Sequence, residues 1–109
     1  MTTHADIDAR ILGMLEACAY KIDRDPTLLT TVRENVSRLA DGRIKSEWTA
    51  LLTLSWAELR PLLLERSQQG DQLRQNAPFG GILSEDERMN FFPPGVPRLD
   101  PQEVLRRTR

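Results

Sequence analysis

The stretch DIDARILGMLEACAYKI, residues 6–22, decides the fold. Its apolar residues Ile7, Ile11, Met14, Leu15, Cys18 and Ile22 recur every three or four positions. That spacing lays them along one face of a helix of 3.6 residues per turn. Such a stripe is stable in water only when other elements cover it, so the rest of the chain should supply further amphipathic helices.

It does so in order. Asp23-Arg24-Asp25-Pro26 interrupts the first helix and starts a second. Asp25 can accept the free amides at a helix start, and the fixed φ of Pro26 suits the first helical position. Leu28, Leu29, Val32, Val36 and Leu39 form the next stripe, and Gly42 stands where a left-handed C-terminal cap is expected. A third helix is predicted over 44–53, with Trp48, Leu51 and Leu52 inward. Ser55-Trp56-Ala57-Glu58 has the capping-box pattern and opens a fourth helix carrying Leu59, Leu62, Leu63 and Leu64. Pro61 in its second turn removes a backbone hydrogen bond, which predicts a kink or a restart there. Gln68-Gln69-Gly70-Asp71 reads as a turn before a short helical piece around Leu73, and Ala77-Pro78-Phe79-Gly80-Gly81 reads as a loop. A second capping box, Ser84 to Glu87, adds one or two turns before Pro93-Pro94.

No segment alternates apolar and polar residues over strand length, and no fixed-period repeat occurs. The expected fold is therefore all-α: a small four- to five-helix bundle over 1–92, followed by a Pro-rich, basic C-terminal arm over 93–109. Charge separates the two parts. Residues 1–92 hold 11 basic and 14 acidic side chains, net −3, whereas 93–109 hold 4 and 2, net +2. Within the arm, Asp100-Pro101-Gln102-Glu103 has the pattern of a short helix start, and Arg106, Arg107 and Arg109 concentrate the positive charge.

The whole chain of 109 residues carries a net charge of −1 and is 39% apolar, enough for one modest core. A domain of this size hides only about two thirds of its unfolded surface, so surface binding suits it better than a deep pocket. The one cysteine, Cys18, excludes an internal disulfide framework. The one histidine, His4, excludes His-rich zinc sites within the chain and leaves no Ser-His or Cys-His pair placed for nucleophilic catalysis. No metal and no cofactor is expected. Cys18 lies in the first stripe and is expected as a small buried hydrophobe. The acidic run Glu85-Asp86-Glu87 fits the favourable charge of a helix start, not a metal site. Nothing resembles a leader or approaches the roughly 18 apolar residues of a membrane span, which predicts a cytoplasmic location away from the membrane.

The segment from Leu73 to Leu83 is chemically the richest, because it gathers a guanidinium, two amides and a ring around a permissive Gly-Gly turn. Two readings stay open for it. Phe79, Ile82 and Leu83 can fold back over the end of the bundle while Arg74 and Asn76 bond loose carbonyls. Alternatively, the segment is a partner-contact loop. Trp48 and Trp56 are read as core anchors.

These features predict a non-enzymatic helical module that binds a protein partner, concretely an antitoxin or a regulatory subunit. Arg74, Asn76, Phe79, Arg106 and Arg107 are its candidate contacts, and a homodimer is one arrangement that would cover a residual apolar face. The alternative is a helix-turn-helix DNA-binding regulator using the second and third helices with the terminal arginines on phosphate. Its weakness is charge, since Arg43 and Lys45 are followed by Glu47 and no basic cluster. A small enzyme or cofactor carrier is the third class.

Overall fold

A computed structural model of the chain describes residues 3–89, and all the regular structure within them is helical. Six α-helices run in the order α1 (His4–Arg24), α2 (Leu29–Ser37), α3 (Arg43–Leu51), α4 (Trp56–Leu63), α5 (Gln68–Gln75) and α6 (Glu85–Met89), with a 3-10 turn at Pro26–Leu28 between the first two. The arm over 93–109, with its expected helix start at Asp100 and with Arg106 and Arg107, lies outside the described residues.

Helix α1 begins three residues before its apolar stripe, at His4. Thr3 Oγ1 accepts from the Asp6 amide at 3.1 Å while the Asp6 carboxylate accepts from the Thr3 amide, a complete capping box that the stripe alone does not reveal. Leu15, Cys18 and Ile22 are buried as the spacing requires, and the small Ala17 and Ala19 are fully buried on its flanks. Ile7 is a correction, being 41% exposed. The core cluster begins at Ile11, and the first turn of the helix projects beyond it.

Asp25 caps as expected, accepting from the Thr27 amide at 3.2 Å, but the turn it opens is 3-10 before the chain settles into α2 at Leu29. Gly42 is a second correction. Helix α2 ends at Ser37 with tightened bonds from Arg38 to Asn35 and from Leu39 to Val36, and the Ser37 carbonyl accepts from Lys45 Nζ at 3.3 Å. Gly42 instead precedes α3, at φ 154° and ψ −168°, a region essentially confined to glycine. It turns the chain into α3, whose Trp48 is only 1% exposed and anchors the core. Burying a ring of that size is worth about 4–6 kcal/mol as an upper estimate.

The Ser55 capping box is present, with Ser55 Oγ accepting from the Glu58 amide at 3.2 Å and Glu58 Oε1 accepting from the Ser55 amide at 3.0 Å. Helix α4 then runs through Pro61 without restarting; the proline sits on its exposed side. Leu59 and Leu63 are buried, but Leu62 is 42% exposed, against expectation. At about 100° per residue, Leu62 falls roughly 60° to one side of Leu59 and outside the narrow contact face of an eight-residue helix.

The turn expected at 68–71 is helix. Ser67 Oγ accepts from the Gly70 amide at 3.0 Å and starts α5 at Gln68. Thus α5 and α6, expected as short extra turns, bring the described helices to six. Helix α5 packs on α1 and α4, and α3 packs on α2. No described helix is long and apolar enough to cross a membrane.

Candidate functional site

Arg74 of α5 is almost fully buried, and its two terminal nitrogens are spent on the fold while its buried Nε has no hydrogen-bond partner among the described residues. Nη1 donates to the carbonyls of Leu63 at 2.9 Å and Glu65 at 2.7 Å, and Nη2 donates to Asp71 Oδ1 at 2.6 Å. Leu63 is the last residue of α4, so Arg74 satisfies carbonyls that the helix end leaves without amide partners. Gly70, one turn before Arg74, makes this approach possible: a Cβ there would lie 2.0 Å from the Glu65 carbonyl oxygen.

The loop that follows closes the core. Phe79 is 6% exposed and packs edge-on against Trp48, with ring centroids 5.8 Å apart at 70°. Ile82 and Leu83 are buried beside it. Asn35 of α2 holds the loop, its Nδ2 donating to the carbonyls of Pro78 at 2.9 Å and Gly80 at 2.8 Å. Of the two readings left open for Leu73–Leu83, the folded-back arrangement is the one observed for Arg74 and Phe79. Asn76, by contrast, is exposed.

Two ionic links fasten the remaining elements. Lys21 Nζ lies 3.0 Å from Glu87 Oε1 and also donates to the Ile82 carbonyl at 3.0 Å. Burial by itself raises the Glu87 carboxyl, but the Ser84 amide and Lys21 outweigh it and hold Glu87 below the ordinary glutamate value. At the end of α1, Asp23 accepts from Trp56 Nε1 at 2.7 Å and forms an ion pair with Arg60 at 2.9 Å. Here too burial raises the carboxyl and the donors prevail, so it titrates lower than a free aspartate. Sequence spacing gives no sign of these contacts, because both partners of Asp23 lie more than 30 positions away. Cys18 is buried, and loss of water pushes its thiol up to about 12. Among the described residues no group of three or more His, Cys, Asp or Glu side chains is placed to hold a metal ion.

What the fold leaves open is a surface groove of about 650 Å³ between α3 and α5. Leu51, Leu73, an edge of the buried Trp48 and the exposed Leu62 of α4 belong to its apolar lining. One wall carries Arg43 and Glu47 of α3, and the other carries Gln69, Gln72, Gln75 and Asn76 of α5, all exposed. Asn76 is the one candidate contact residue from the sequence that this groove includes. Glutamines 69, 72 and 75 escaped the sequence reading because Gly70-Asp71 looked like a turn; their spacing of three, combined with Ser67 as a cap, is the signal that could have found them. Arg106 and Arg107 lie outside the described residues.

No family model, no curated protein and no solved structure matches the chain.

Proposed function

We propose that the chain is a non-enzymatic module that works by binding a protein partner, with a helical bundle over 1–92 as platform and the basic segment 93–109 as an additional arm. In concrete form it is an antitoxin-like or regulatory subunit. The observation that carries this reading is the solvent-facing α3–α5 groove, whose mostly polar lining is interspersed with Leu51, Leu73 and the exposed Leu62. Hydrogen-bonding groups mixed with apolar side chains are the usual composition of a protein contact. The polar residues most suggestive of chemistry, Lys21, Asp23, Arg60, Arg74 and Glu87, are instead engaged with one another or with backbone.

The DNA-binding alternative finds less support. Lys45, one of two cations at the start of α3, is paired with Asp41 at 3.4 Å and with the Ser37 carbonyl. Glu47 on the same helix repels phosphate.

The test is a tagged pull-down from the native host with the full chain and with a variant lacking 93–109. A stoichiometric protein partner is expected, retained more weakly by the shortened chain at unchanged helicity. Recovery of nucleic acid without protein, with retention falling steeply as salt rises, would reverse the order of the two readings.

A further inference from the structure

The groove gathers, on facing helices, several polar side chains that the fold does not use. Gln69, Gln72 and Gln75 recur at intervals of three on α5, and none of their side-chain amides is hydrogen-bonded within the described residues. Arg43 and Glu47, one helical turn apart on α3, are exposed and form no ion pair among those residues. By contrast, Asn35 and Arg74 are each held by two backbone carbonyls and are taken up by the fold.

A primary amide offers both a donor and an acceptor, the complement of a peptide unit. An α-helical ligand satisfies its own backbone and would leave this ridge facing only side chains. An extended chain presents N–H and C=O groups to its flanks at every residue. From Gln69 to Gln75 the helix rises about 9 Å, which matches about three residues of extended chain at about 3.3 Å each. The charges at the groove are two carboxylates, Glu47 and Glu65, against one guanidinium, Arg43. That balance favours a ligand carrying a cation, and Leu62 provides an apolar footing beside it.

We infer that the α3–α5 groove binds an extended, basic segment of a partner polypeptide, with the α5 amides reading its backbone and Glu47 and Glu65 selecting a Lys or Arg side chain. This rests on the protein-binding function and specifies its site and ligand class.

The experiment selects a phage-displayed random-peptide library on the immobilised full chain and measures the enriched peptides by fluorescence anisotropy. Enriched sequences should carry Lys or Arg and bind without gaining helical circular dichroism. Glu47→Arg should weaken them roughly tenfold, and a peptide whose basic residue is changed to Glu should regain affinity for that variant. Gln72→Ala with Gln75→Ala should weaken every enriched peptide irrespective of its charge. All three positions are exposed, so unchanged far-UV spectra will show that the variants are folded.

Peptides that bind all variants equally, that are acidic, or that become helical when bound would overturn the groove assignment while leaving the protein-binding function in place. A library yielding no enriched sequence would also overturn it, and a pull-down yielding no protein would remove the function as well. Tighter peptide binding after deletion of 93–109 would make the chain's own basic segment the occupant and overturn the assignment to a partner.

Discussion

Replacing Gly70 by alanine tests the way α5 is fastened to the end of α4. In a solvent-facing helix this change is stabilising by about 0.5–1 kcal/mol, because alanine loses less backbone entropy. Here the sign should reverse. The new Cβ would sit 2.0 Å from the Glu65 carbonyl oxygen, 2.9 Å from its carbon and 3.0 Å from Arg74 Nη1. Ordinary contact starts near 3.4 Å, so the backbones must separate by about 1.4 Å, the difference between 3.4 and 2.0. Overpacking of this kind costs about 1–3 kcal/mol. The same movement stretches the Arg74 bonds to Leu63 and Glu65, each worth about 1.5–3 kcal/mol because the donor is charged. With one of them lost and the helix gain subtracted, the net loss is about 2–5 kcal/mol, a fall in Tm on the order of 10–25 °C for a domain of this size. Urea unfolding followed by circular dichroism and by the fluorescence of buried Trp48 measures it directly. Gly80→Ala is the control, since nothing lies within 4 Å of a Cβ there, and its effect should stay within about 0.5 kcal/mol. A Gly70→Ala protein at least as stable as the parent would refute the contact and, with it, the role of Arg74 as the lock between α4 and α5.

Glu87 should make stability depend on pH. Its carboxyl titrates lower in the folded chain than when unfolded, so its contribution is complete above the unfolded value, about 4.3, and is lost as pH falls through the folded one. Glu87→Gln keeps a capping-box side chain opposite Ser84 but removes the charge facing Lys21. It should cost about 1–2 kcal/mol at pH 7 and give a flatter stability profile through the acid range. Parallel urea midpoints for the two proteins would expose an error if their difference were the same in acid as at neutrality. Cys18, with its thiol pushed up to about 12, should resist Ellman's reagent in the folded protein at mildly alkaline pH and react at once in urea. Rapid labelling of the native chain would place Cys18 at the surface.

The sequence revealed most where a signal is local. The stripe of α1, the Asp25 cap, the Ser55 and Ser84 boxes and the burial of Cys18 and Trp48 each depend on residues within a few positions of one another. It misled where a long-range contact decides. Gly70 and Asp71 look like turn residues, yet Gly70 is in α5 because only a glycine admits the Glu65 carbonyl, and Asp71 is there to meet Arg74. Gly42 has the left-handed freedom expected of it, but Lys45 already serves the end of α2, which leaves Gly42 to start α3.

The same distinction governs the candidate site. Arg74 and Phe79 attracted notice as chemically informative residues near a turn, and both were absorbed by the core. The glutamines of α5 attracted none, since an amide shows whether it is spent only when its surroundings are known. A functional surface on a chain this small is therefore sought among the polar groups that folding leaves unpaired. Gln69, Gln72, Gln75 and Glu47 meet that condition together, on facing walls of one groove.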